Sequence, residues 1–254
     1  MRSDWNRRAT LDAAHFICSE HDDLTWEAFW RSGEEDVARY LLPHLAQFHL
    51  DPSSLHALDF GCGIGRLSAA LARRFKAVTA FDISGEMLLR GRAYLSELRN
   101  ITWVQGNGVD LQPLADASHD VVFSYLTLQH VPSRKLALGY IDEFCRVLRP
   151  GGLICVQFSY RRAYWLRRFY VAARARLSRL PAVWRWLMPP RWRRRRYGYE
   201  EVCAMETLMQ HSLPPAQVAA RARARGLTIV ALETTDPLQT WLIARRLPND
   251  ARAD

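Results

Sequence analysis

Three glycines at alternate positions, Gly61, Gly63 and Gly65, follow an acid, Asp59, near the end of a short apolar run. The order Ala57-Leu58-Asp59-Phe60-Gly61-Cys62-Gly63-Ile64-Gly65-Arg66 reads as a buried strand, a tight turn and the start of an amphipathic helix. Glycine supplies the positive φ that such a turn needs and leaves room for a ligand against the main chain. The first turn of the helix adds N–H groups without helical partners. Together these features suit a nucleotide-bearing cofactor. A second apolar run, Ala77-Val78-Thr79-Ala80-Phe81-Asp82, also ends in a carboxylate. An acid at that place accepts hydrogen bonds from both hydroxyls of a ribose. The competing role for Asp82 is a helix N-cap, which Ser84 fills better. The dinucleotide fingerprint G-x-G-x-x-G does not fit, because the third glycine comes one residue early and Arg66 follows it.

The pattern D-x-G-x-G-x-G resembles the first motif of the class I S-adenosylmethionine-dependent methyltransferases. Later segments extend the resemblance over residues 55–158. Asp82-Ile83-Ser84-Gly85-Glu86-Met87-Leu88 is similar to that family's D-x-S-x-x-M-L. Ile101-Thr102-Trp103-Val104-Gln105 leads to Gly106-Asn107-Gly108-Val109, and Arg146-Val147-Leu148-Arg149-Pro150-Gly151-Gly152 is similar to the family's R-V-L-x-P-G-G. The resemblance implies S-adenosyl-L-methionine as cofactor and assigns its contacts. Asp59 faces the methionine end, with Gly61, Cys62, Gly63 and Gly65 forming the turn. Asp82 takes the ribose, and Ile83 and Met87 pack on the adenine. Asn107, with Gly108 and Val109, meets the adenine amino group, and Ser124 completes the set at the end of the fourth strand. Cys62 is expected to pack rather than act as a nucleophile.

To position these residues the chain must be α/β, and the resemblance implies a Rossmann-like, seven-stranded, mostly parallel sheet with helices on both faces. The fourth strand is expected at Asp120-Val121-Val122-Phe123-Ser124-Tyr125 and the fifth at Ile154-Cys155-Val156-Gln157-Phe158, after a Pro-Gly turn. Leu227-Thr228-Ile229-Val230-Ala231-Leu232 and Gln239-Thr240-Trp241-Leu242-Ile243-Ala244 are similar to the family's closing antiparallel hairpin, which implies the strand order 3-2-1-4-5-7-6. One domain over residues 1–254 is expected. It divides into an N-terminal helical cap (1–52), the cofactor-binding core (53–158), a basic aromatic insertion or lid (159–213), and a closing helix with antiparallel strands (214–254). In the cap, Ser32-Gly33-Glu34-Glu35 has the S-x-x-E form of a capping box, and Pro43 is expected to kink the helix it opens. Trp26, Phe29 and Trp30 either wall the acceptor pocket or simply pack.

Charge is concentrated in the insertion. Residues 161–196 hold thirteen arginines and no acid, so taking them from the net charge of +9 leaves −4 for the rest. Leu166, Phe169, Tyr170, Ala173, Leu177 and Leu180 fall on one helical face, and Pro181 ends that helix. Three readings stay open for it: a lid over the active site, a peripheral membrane-surface helix, or an RNA-binding face. The lid is preferred. Nucleic acid is disfavoured, because the Asn/Asp-Pro-Pro-Tyr tetrad of many nucleic-acid amino methyltransferases is replaced here by Ser124-Tyr125-Leu126-Thr127. No run of eighteen uncharged apolar residues predicts a transmembrane helix. The N-terminus lacks a signal peptide's apolar core, and five cysteines without a C-x-x-C point to a reducing cytoplasm. No feature speaks to oligomeric state.

In this family the loop after the fourth strand borders the transferred methyl. His130 is therefore the expected general base if the acceptor needs one, with Tyr125 a weaker candidate. Tyr160, Tyr164 and His211 would come from the lid. No His, Asp or Glu cluster has metal-ligand spacing. The leading expectation is methyl transfer to an O, N or C atom of a small, apolar metabolite. The alternatives are a lipid-linked or membrane-associated acceptor, an RNA acceptor, and a non-catalytic cofactor-binding regulatory or scaffold protein.

Overall fold

β1 (His56–Phe60), β2 (Ala77–Asp82), β3 (Ile101–Gln105), β4 (His119–Ser124), β5 (Leu148–Phe158), β6 (Leu227–Asp236) and β7 (Gln239–Arg246) form one sheet. Its seven strands lie in the order β3-β2-β1-β4-β5-β7-β6, as expected. The first five are parallel, and β7 runs antiparallel between β5 and β6. The computed structural model describes residues 1–17, 25–160, 212–236 and 239–248. The amphipathic helix expected within 161–196, and the candidates Tyr164 and His211, lie outside the described residues.

The central strands are apolar on both sides because helices cover both faces. On one face Leu58, Phe60, Val122, Ile154 and Val156 pack under α6 (Arg134–Val147) and α7 (Pro215–Ala224). α6 presents Ala137, Tyr140, Ile141, Phe144 and Cys145, a spacing that keeps them on one helical face. On the other face Ala57, Val78, Val121, Phe123, Leu153 and Cys155 pack under α2 (Trp26–Tyr40), α3 (Leu42–Gln47) and α4 (Arg66–Ala72). α5 (Gly85–Tyr94) starts at Ser84, whose hydroxyl accepts the Met87 N–H. Asp82 is therefore not needed as a cap.

The N-terminal helices differ from expectation in three ways. α2 begins at Trp26, capped by Thr25, so Ser32 opens nothing; it lies inside the helix and donates to the Phe29 carbonyl. Burial of Phe29, Gly33 and Val37 along one stripe carries the helix upstream of the capping-box pattern. Pro43 separates two helices instead of kinking one, sitting in the first turn of α3 where no N–H is required. α1 (Arg2–Ile17) is two helical pieces joined at Asp12, whose φ of −166° and ψ of 87° are extended. Further along, Pro150-Gly151-Gly152 lies inside β5 as an irregular stretch: Gly151 has φ of 82°, and the pairing with β4 jumps from Leu148 to Leu153.

Candidate cofactor and active site

The glycine turn sits at the carboxyl end of β1, where open α/β sheets bind ligands. Gly61, Gly63 and Gly65 have φ of 77°, 56° and 90°, all left-handed. The turn is pinned to β2, since the N–H groups of Gly61 and Cys62 both donate to the Phe81 carbonyl. Asp59 is 1 % exposed, and one of its oxygens accepts the Ser68 hydroxyl at 2.6 Å. Its other oxygen, Oδ1, is buried without a partner. Burial raises the Asp59 pKa to about 7, opposed by the Ser68 hydrogen bond and the Arg66 guanidinium. An orphaned buried carboxylate oxygen in front of a glycine turn fits the ammonium at the methionine end of the expected cofactor. Cys62 is also buried, and desolvation holds its thiol protonated, as packing requires.

Asp82, at the end of β2, grips two loops. Its Oδ2 accepts the Gly63 N–H at 2.9 Å and its Oδ1 the Ser84 N–H at 2.8 Å. Each oxygen keeps lone-pair capacity for a ribose hydroxyl. Burial raises this carboxyl's pKa while the backbone donors of Ser84 and Gly63 oppose the rise. Ile83 lies over Gly108, where a Cβ would come within 2.6 Å of Ile83 Cδ1. The other residues expected at the adenine end have these surroundings. Asn107 Oδ1 accepts from the N–H groups of Val109 and Asp110, and its Nδ2 donates to Asp110, so the loop itself occupies its amide. Val109 is exposed, while Met87 is buried with Ala9, Ala13, Phe29 and Ile64 beneath α1. Ser124 is a strut: fully buried, it donates to the Phe60 carbonyl and ties β4 to β1.

After β4, Tyr125 opens a sharp loop in which Leu126 has φ of 58°. The Tyr125 ring stacks on Trp241 at 5.3 Å and meets Tyr40 at 5.2 Å, while Tyr40 stacks on Trp241 at 4.5 Å. Gln239 Nε2 lies 3.3 Å from the Tyr125 oxygen. Burial, then Asp36 and Tyr40, push the phenol pKa well above its ordinary value. At neutral pH Tyr125 is thus protonated, a donor and not a base. His130 closes a short turn over Leu128–His130, its ring edge-on to Trp5 of α1 at 5.4 Å. Tyr160 packs at the margin of the α6-side core.

Several residues of the site carry no sequence motif. Ser68 reaches Asp59 from the next helix, and Asn6 accepts from Ser84 across the chain. Arg66, buried beside the turn, bonds Ser32 and Asp36 of α2. Arg66 was visible as the residue after the last glycine; its acidic partner was not. Among the described residues no group of three His, Cys, Asp or Glu side chains is placed to hold a metal.

A family described as "Methyltransferase domain" matches residues 58–156. A demethylmenaquinone methyltransferase of Tropheryma whipplei (strain Twist) is 38 % identical over 108 residues, 42 % of this chain and 43 % of that protein. The chain thus spans less than half the length of that relative. An uncharacterized methyltransferase of Mycobacterium bovis is 31 % identical over 139 residues, 53 % of this chain and 68 % of its own length. Magnesium protoporphyrin IX methyltransferase from Synechocystis PCC 6803, solved with bound S-adenosylhomocysteine, shares the fold with a TM-score of 0.63 at 17 % identity. The match covers 96 % of this chain and 97 % of that one.

Proposed function

We propose that this chain, which belongs to the class I S-adenosylmethionine-dependent methyltransferases, carries a methyl group to an O, N or C atom of a small, apolar, ring-bearing acceptor. The observation that carries the reading is the pair of acids at the ends of adjacent parallel strands. Asp59 keeps a buried free oxygen, and Asp82 holds the glycine turn. When bound, the cofactor supplies a methyl group on an electrophilic sulfonium. The protein's part is then mainly alignment and exclusion of water, and such positioning contributes about 7–11 kcal/mol. Asp59 balances the ammonium and Asp82 orients the ribose. His130 takes a proton from the acceptor where one must leave, and Tyr125 donates a hydrogen bond.

Two observations support a ring-bearing acceptor. Tyr40 and Tyr125 are partly exposed near the end of β4 and both stack on the buried Trp241 behind them, and flat rings favour stacking partners. The name of the T. whipplei relative specifies a menaquinone precursor. Calorimetry with S-adenosylmethionine, S-adenosylhomocysteine and NAD tests the cofactor, and binding of the first two alone is expected. Asp82→Ala should weaken binding by about 1–3 kcal/mol, with Asp82→Asn losing less. Tight NAD binding without heat from the sulfonium ligand would reverse the assignment. For the acceptor, a mass-spectrometric screen should find a methyl gained by a small ring compound; methylated RNA or a large polar product would displace this reading.

A further inference from the structure

Asp36, Tyr40, Tyr125 and Gln239 meet near the carboxyl ends of β4 and β5, where β7 begins. Open α/β sheets bind ligands at this end, and β4 and β5 lie across β1 from the ribose acid of β2. Gln239 Nε2 can only donate, so the Tyr125 oxygen accepts from it at 3.3 Å. The Tyr125 proton is then left for Tyr40, the other side chain that hydrogen-bonds this phenol. Tyr40 in turn has no acceptor for its own proton among the described residues. The chain from Gln239 through Tyr125 to Tyr40 therefore ends in an unused donor. Each link polarises the next, which strengthens that last O–H as a donor.

Asp36 stands one helical turn before Tyr40 on α2, so the two side chains leave the same face. The buried Arg66 guanidinium takes its Oδ2 at 2.5 Å and holds the carboxylate in place. Its Oδ1 has no donor among the described residues. Arg66 and Asp36 cancel in charge, so the place is neutral. Trp241, 2 % exposed, stacks on Tyr40 at 4.5 Å and on Tyr125 at 5.3 Å, which leaves the open ring surface to the two phenols. An unused acceptor and an unused donor one turn apart suit a hydroxyl, which gives one hydrogen bond and takes another. A ketone or an ether would leave Asp36 Oδ1 unmet, and an ammonium would leave the Tyr40 proton unmet. We propose that Asp36 and Tyr40 bind a free hydroxyl on the ring of the methyl acceptor, which makes the acceptor a hydroxylated aromatic compound, uncharged at that position.

This inference rests on the ring-bearing acceptor proposed above and names its polar group. The test is equilibrium dialysis of the full chain, loaded with S-adenosylhomocysteine, against 2-naphthol and against naphthalene. Each neutral hydrogen bond supplies about two- to tenfold, so wild type should hold the naphthol about tenfold or more tighter. Tyr40→Phe keeps the stack on Trp241 and removes only the donor. It should cut that preference several-fold and leave naphthalene binding unchanged. Asp36→Asn should cut it too, but it takes the counter-charge from buried Arg66; if that variant does not fold, Tyr40→Phe decides alone. Equal binding of the two compounds by wild type overturns the hydroxyl site. So does an undiminished preference in a Tyr40→Phe protein with native circular dichroism, the result expected where only water meets the two atoms. If calorimetry shows S-adenosylhomocysteine bound and neither ring compound binds, the ring-bearing reading fails and the hydroxyl site with it. If S-adenosylhomocysteine does not bind, the cofactor assignment fails first and takes both with it.

Discussion

Asp59 and Asp82 are both carboxyls at strand ends, yet their surroundings give them different work. Asp82 is satisfied by two backbone N–H groups and serves as a clamp with spare lone pairs. Asp59 has one hydroxyl partner and a buried oxygen without one, so its charge calls for a cation. Burial raises its pKa to about 7, and a cation beside it would favour the ionised form. His130 stands apart from this pair, edge-on to Trp5 and beyond the end of β4. If it is the base, His130→Ala should lower turnover by about 100-fold or more while cofactor affinity changes little. Steady-state rates across pH, beside calorimetry on the same variant, separate the two effects. Full turnover by the variant with its true acceptor, at every pH, would move the role elsewhere.

β1, β2 and β4 are also joined at their amino ends, far from the glycine turn, by a chain of side chains that fixes its own proton positions. The Ser118 hydroxyl donates to the Ala115 carbonyl, so His119 Nδ1–H must donate to Ser118. His119 Nε2 is then bare and accepts from Thr79, whose oxygen accepts from His56 Nε2–H. Both imidazoles are neutral in this arrangement. Burial, then His56 and Arg149, lower the His119 pKa to about 3. Its unfolded value is near 6.5, so the unfolded chain binds the extra proton as pH falls through that window. Stability is therefore fully present above about 6.5 and declines toward acid, by up to about 1.4 kcal/mol per pH unit. Urea unfolding between pH 7 and pH 4.5 should show a steeper loss in wild type than in His119→Gln; parallel curves would refute the assignment. None of this network is legible in the sequence, because its partners meet only through strand pairing. Strand order and both acids are legible, since each lies at the end of a short apolar run beside a turn signal. The start of α2 is not, because Phe29, Gly33 and Val37 find their partners on other elements. The same holds at Gly33, where a Cβ would stand 2.3 Å from the Arg66 carbonyl. The adenine-end residues follow a different logic: Asn107 sits at the motif's position, but an exposed loop supplies its own hydrogen-bond partners.

Across the whole chain, charge is divided between two unlike parts. Residues 161–196 carry thirteen arginines without an acid, and the remainder sums to −4. No helix among the described residues is long and apolar enough to cross a membrane. The remainder is net negative, so the basic segment carries the strongest attraction to anionic lipid. If that segment is a lid, its apolar residues Leu166, Phe169, Tyr170 and Leu177 pack on the protein, and its arginines face water or acidic partners. Deleting it should then abolish most acceptor turnover while calorimetric cofactor binding survives. If it lies on membranes, the same residues enter the lipid interface, and vesicle binding falls steeply with salt as the Debye length shrinks. Co-sedimentation of wild type and the deletion variant with vesicles containing anionic phospholipid, at low and high salt, distinguishes these outcomes. The expected result is little sedimentation of either protein and a large loss of turnover on deletion. Strong, salt-sensitive sedimentation of wild type alone would instead make an acceptor held in the bilayer the leading reading.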